Sequence, residues 1–173
     1  GLTKDPNLCT LFRQFLKSGE PNLRLLGILG CGMANDDKII ADLASMVEDP
    51  VPYVKHAACL ALMTIGNKAA LDAITLVLLQ GSDTSRQVAA EALAMNPEEG
   101  YPILQEGAGI NDLLVRHAVV FGLARIKLPW AVQLLEKMAI EDGQWVVRNA
   151  AAAALETINR SDPHIPIPLP PLN

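Results

Sequence analysis

The chain has 173 residues, a formal net charge of −5 and a composition that is 50% hydrophobic but only 4% aromatic. With no net basic field to hold a polyanion, it argues against generic binding of DNA, RNA or an acidic membrane. No stretch reaches the roughly 18 uncharged apolar residues of a membrane span, the densest region, 69–79, being interrupted by Asp72.

A basic side chain recurs at Arg24, Lys55, Arg86, Arg116 and Arg148, at spacings of 31, 31, 30 and 32 residues. Apolar positions travel with it. Seven residues after each one stand Cys31, Leu62, Leu93, Leu123 and Leu155, and six after stand Gly30, Ala61, Ala92, Gly122 and Ala154. A near-constant period that carries small and apolar slots at fixed offsets indicates a solenoid of stacked units. Ten residues after, the slot is looser: Ala34, Ile65, Asn96, Ile126 and Ile158.

Taken in chain order, the helical periods fall in pairs. The first pair covers 8–16 and 23–29. In the second, 38–48 places Ile39, Ile40, Leu43, Ala44 and Val47 on one side, and the segment opened by Asp49 and Pro50 carries Val54, Ala57, Ala58, Ala61, Leu62 and Ile65 at threes and fours before Gly66 stops it. That spacing predicts a helix of about 14 residues. The third pair is 69–79 with the Arg86 helix, the fourth 101–105 with the Arg116 helix, and the fifth 130–140 with the Arg148 helix. Around the third and fourth units Asn96, Pro97, Glu98, Glu99, Gly100 and Pro102 interrupt the pattern, and Gly107 and Gly109 cut short the helical stretch after it, which predicts a local change of curvature. Two helices of this size cannot bury their apolar faces alone, so five hairpins stack into an all-α, right-handed superhelix over residues 1–161. Alanines such as those at 150–154 keep neighbouring helices close and favour helix formation. Residues 162–173 hold five prolines and read as an extended tail or linker.

The string 49–62, Asp-Pro-Val-Pro-Tyr-Val-Lys-His-Ala-Ala-Cys-Leu-Ala-Leu, ending at Ile65 and Gly66, resembles the HEAT-like repeat of the phycobilin-lyase (PBS lyase) type. Val147, Arg148, Asn149, Ala150 and Ala151, with Ala154, Leu155 and Ile158, form a second match. The resemblance implies a ladder of ion pairs between adjacent repeats. Asp49 with Lys55 and Asp142 with Arg148 fit it at six residues; Asp112 with Arg116, Asp83 with Arg86 and Glu20 with Arg24 sit closer and fit less well. It implies a fold and names no activity, since such repeats serve scaffolds, adaptors, chromophore lyases and nucleic-acid enzymes alike.

The recurring basic residue could cradle phosphates, but a carboxylate near each one favours a structural ladder that sets repeat geometry. His56 and His117 hold one slot two repeats apart, about 20 Å at helix-packing distances, and cannot share a metal. His164 lies in the proline-rich segment. No glycine-rich phosphate loop or nucleophile elbow occurs. Cys9, Cys31 and Cys59 read as apolar fillers of a reducing, cytoplasmic protein; Cys59 faces a possible groove without an activating base, so covalent chromophore attachment is the weaker alternative. No cofactor is expected.

The second helices should line the concave side. Slots one, four or five, and eight residues after each basic position give Leu25, Ile28 and Gly32; His56, Cys59 and Met63; Gln87, Glu91 and Ala94; His117, Phe121 and Ala124; and Asn149, Ala152 and Glu156. Met63 and Phe121 would grip an extended peptide or partner helix, with His56, Gln87, His117 and Asn149 offering hydrogen bonds and Glu91 and Glu156 charge. The expected function is therefore a non-catalytic protein-binding scaffold, with a lyase-like or enzyme-accessory role and a nucleic-acid-binding solenoid as alternatives. The Gly1 start without a basic-then-apolar leader reads as a fragment, and the last unit, followed at once by Asn159, Arg160, Ser161 and Asp162, lacks a capping hairpin. The tail could then cover that end through Ile165, Ile167 and Leu169, or contact a neighbouring chain.

Overall fold

In a computed structural model, which describes residues 6–33 and 37–161, the chain forms ten α-helices, with no strand among the described residues. They pair as α1 (Pro6–Phe15) with α2 (Pro21–Gly32), α3 (Asp37–Met46) with α4 (Pro52–Ile65), α5 (Lys68–Gln80) with α6 (Asp83–Leu93), α7 (Gly100–Gly107) with α8 (Leu113–Leu123), and α9 (Pro129–Glu141) with α10 (Trp145–Ser161). The five hairpins stack as a right-handed solenoid. The expected tail, with His164, and the Ala34 slot lie outside the described residues.

Local chemistry sets the ends. Proline occupies the first turn of α2, α4 and α9, where its missing N–H costs nothing. Asn67 caps α5 by accepting the Ala70 N–H at 2.9 Å, and Asp112 caps α8 by accepting those of Leu114 and Val115. Gly66 closes α4 at φ 61°, in the left-handed region glycine enters without strain. One boundary differs from the sequence reading. The helix begins at Pro52, and Asp49 with Pro50 lies in the turn before it, where the Asp49 carboxylate accepts the Val51 N–H at 2.9 Å.

Successive second helices pack side by side along the array, α2 on α4, α4 on α6, α6 on α8 and α8 on α10. Of successive first helices, only α3 and α5 make a comparable contact, so the array curves around the second-helix row. The core lies between the rows. From the first helices come Leu43, Ile74, Leu104 and Leu135, and from the second Ile28, Leu62, Leu93 and Leu123, each fully buried. Small residues permit the close approach: a Cβ on Gly122 of α8 would lie 2.6 Å from the Ala90 carbonyl oxygen of α6. The interruption seen in the sequence appears as the shortest helix, α7, which starts where Gly100 passes against the Leu93 carbonyl too closely for any side chain.

Candidate interaction face and the junctions behind it

Each basic residue of the period lies in the first turns of a second helix, and the first four turn into the junctions between hairpins. Arg24 donates from Nε to Asp49 Oδ2 at 2.6 Å and from Nη2 to Oδ1 at 2.9 Å, while Nη1 reaches the carbonyls of Ser18 and Gly19. Arg116 repeats the arrangement on Asp142, at 2.8 and 3.2 Å, with the Ile110 carbonyl behind it. These planar two-point contacts match the guanidinium fork to the carboxylate. Burial pulls the Asp49 carboxyl up, but Arg24 and the Val51 N–H outweigh it and hold it below the ordinary carboxylate value. For Asp142, the Arg116 hydrogen bond overcomes burial in the same direction.

The middle junctions are built differently. Arg86 binds the Gly81 carbonyl at 2.8 Å and comes only within 3.7 Å of Asp112, which is half exposed. Lys55 donates to Ser85 Oγ at 2.9 Å and Thr84 Oγ1 at 3.2 Å, with Glu48 at 4.0 Å. Ser85 Oγ in turn donates a hydrogen bond to the Val47 carbonyl at 2.9 Å. Arg148 donates to the Asp142 carbonyl at 2.6 Å, within its own hairpin. Arg24, Arg86 and Arg116 thus each meet the aspartate 25 or 26 residues downstream, at the entrance to the next second helix. Of the residues picked from the sequence, the structure brings together Arg24 with Asp49, Arg86 with Asp112 and Arg116 with Asp142. Asp83 instead opens α6 in its first turn, where a carboxylate suits the helix dipole.

With these cations drawn inward, the outer surface of the second helices is lined by other slots. The fourth position after each basic residue is core in the first four hairpins, as Ile28, Cys59, Ala90 and Val120. The fifth faces out, as Leu29, Leu60, Glu91 and Phe121, and so does the ninth, as Met33, Met95 and Arg125. Leu60 is 43% and Met95 68% exposed. The ninth slot escaped the sequence reading although it follows from it, since adding one helical step of four to the fifth slot reaches it.

Four adjoining hollows run along this face. His56, Gln87 and Glu91 share one of about 380 Å³ with Lys55 and Thr84. His56 and Glu91 share the next, about 240 Å³, with Leu60, Met95 and Arg125. Glu91 and Phe121 border a third of about 470 Å³, floored by alanines of α10. Met63 borders the fourth, about 440 Å³, with Leu60, Met95 and Pro97. Glu91 borders three of them, 3.1 Å from Arg125 and 3.6 Å from His56 Nε2, while His56 Nδ1 lies 2.9 Å from the Pro52 carbonyl. The His117 ring meets Phe121 edge-on, with centroids 5.3 Å apart. Asn149 and Glu156 line none of these hollows, and Glu156 lies 3.6 Å from Arg160 of its own helix.

Cys59 sits at the rim of this face, but its residue is fully buried and desolvation pushes its thiol up to about 12. Burial disfavours its thiolate, in keeping with an apolar filler without an activating base, while the expectation that it faces the groove is corrected by its place in the core. Among the described residues no three metal-type side chains cluster, and no helix is long and apolar enough to cross a membrane.

No curated protein sequence matches the chain. Among solved structures, a designed armadillo repeat protein in complex with the peptide (KR)4 is similar at 15% identity, covering 88% of this chain and 82% of that one with a TM-score of 0.39. The family profile of HEAT repeats matches residues 10–94 and 82–156, which overlap to span nearly all ten helices. The chain belongs to the HEAT-repeat family.

Proposed function

We propose that this chain is a protein-binding scaffold that receives a peptide or partner helix along its second-helix face. One observation carries the reading: the arginines Arg24, Arg86 and Arg116 are spent on the junctions, while Leu60, Met63, Met95 and Phe121 border a continuous run of hollows on the face left open. Extended apolar side chains broken by a few polar groups are what a peptide groove requires. His56, Gln87 and Glu91 supply that polar complement, while His117, Asn149 and Glu156 lie on the second helices outside the hollows. Residues 1–161 act as the binding unit and the proline-rich 162–173 as a linker from it.

Inward-turned arginines leave no basic stripe for a phosphate backbone, which argues against the nucleic-acid alternative. The resemblance to phycobilin-lyase repeats is one of repeat pattern, and the buried Cys59 thiol offers no chromophore attachment point. Pull-down from the source cell with the native chain and with Met63→Glu/Phe121→Glu is the test. Loss of a captured protein in a variant of unchanged melting temperature is expected; an identical captured set would move the binding surface elsewhere.

A further inference from the structure

Lys55 departs from the rule its counterparts follow. Counting 25 or 26 residues on reaches Asp49 from Arg24, Asp112 from Arg86 and Asp142 from Arg116, but from Lys55 it reaches Gln80 and Gly81. No acid can stand at Gly81, because a Cβ there would lie 2.6 Å from the Val77 carbonyl oxygen and 3.0 Å from Glu48 Oε1. The junction between the second and third hairpins therefore has a cation slot without its aspartate.

What surrounds the ammonium is neutral at contact distance. Ser85 Oγ and Thr84 Oγ1 accept two of its three protons, and the Glu48 carboxylate at 4.0 Å is engaged through its other oxygen by the Ser82 N–H at 3.0 Å. Lys55 is only 9% exposed, and a buried cation gains much from an anion in contact with it. The same residue, with Thr84 and Gln87, walls the hollow of about 380 Å³ on the second-helix face. Glu91 on its far side is already met by Arg125 and His56.

We infer that the bound partner supplies the missing carboxylate. An aspartate or glutamate of a peptide lying along the second helices enters this hollow, accepts from Lys55 Nζ and Thr84 Oγ1, and sets the register in which neighbouring apolar residues cover Leu60 and Met95. The inference rests on the proposed groove and adds to it the chemistry and position of one ligand residue.

Selection of a random-peptide display library on the full chain, with affinities measured by fluorescence anisotropy, tests it. Selected peptides should share an acidic residue at one fixed position, and its amide should bind the native chain about tenfold more weakly. Lys55→Met should weaken the acidic peptide to the level of the amide peptide and leave the amide peptide unchanged, while Lys55→Arg should retain the preference. Binders without a fixed acid, or equal affinity of acid and amide peptides for the native chain, overturn the inference even if Lys55→Met does not fold. In that case the groove itself stands if Met63→Glu/Phe121→Glu abolishes binding. Recovery of no binder, or binders indifferent to that double variant, removes both.

Discussion

The outer junctions of this solenoid and its inner ones join the same kind of helix by different means. Between the first two hairpins, and between the last two, a guanidinium grips an aspartate through two hydrogen bonds, and the aspartate side chains are only 3% and 5% exposed. Between the third and fourth hairpins the corresponding pair is open to 3.7 Å with its acid 42% exposed, yet α6 and α8 approach so closely that Gly122 has no room for a methyl group against Ala90. Close backbone packing does there what charge does at the ends. A repeated slot conserves a position in the stack without conserving the interaction that occupies it.

The sharpest way to break this contrast is to fill the inner contact. Gly122→Ala places its Cβ 2.6 Å from a carbonyl oxygen and 2.9 Å from Leu104 Cδ2, so α8 must shift away from α6. We expect a loss of about 3 kcal/mol, the upper range for overpacking, seen as a fall of roughly 10 °C in melting temperature. A variant as stable as the native chain would mean that α6 and α8 are not held this closely.

Removing charge at an outer junction comes next. Asp142→Asn leaves the largely buried Arg116 without its anion and should cost about 2 kcal/mol at neutral pH, between the limits for exposed and fully buried pairs. Its signature is in the pH dependence. Asp49 and Asp142 are held below their ordinary carboxyl value in the folded chain, so the stability they contribute is complete above pH ~4 and is lost as pH falls through their lower folded values. Denaturant unfolding at pH 7 and pH 3 should show a smaller acid-side loss in Asp142→Asn than in the native chain; equal losses would place the acid sensitivity elsewhere.

The smallest effect belongs to Asp112, and it separates two jobs. Asp112→Asn keeps the side-chain acceptor that caps α8 and removes only the distant charge facing Arg86, so about 0.3 kcal/mol is expected. Asp112→Ala removes the cap as well and should cost about 1 kcal/mol. If the asparagine variant proved as costly as the alanine one, the inner ion pair would be stronger than its geometry allows.

Much of the architecture is legible in the sequence because its causes are local. The helix that ends at Gly66, the pairing of helices and the interruption between Asn96 and Pro102 all follow from end signals and periodicity within a dozen or so residues. The junction partners are not local. Reading Asp49 against Lys55 looks along one hairpin, whereas the stacked fold presents Asp49 to Arg24 of the hairpin before, a relation that only the superhelix creates. The face is legible to within one residue of helical phase. An error of one position, about 100° around the helix, separates the buried Cys59 from the exposed Leu60.

Asp142 shapes the turn of its own hairpin, accepting the Gln144 N–H, while it holds a guanidinium belonging to the hairpin before. Asp49 does the same one end away. Coupling of this kind has a direction. As the chain leaves the ribosome, Arg24 and Arg116 emerge 25 and 26 residues ahead of the carboxylates that fix them, so consolidation trails synthesis by about one hairpin. The first and fourth hairpins are thus finished by their successors, and each stays a soft edge until the next turn of the chain has emerged.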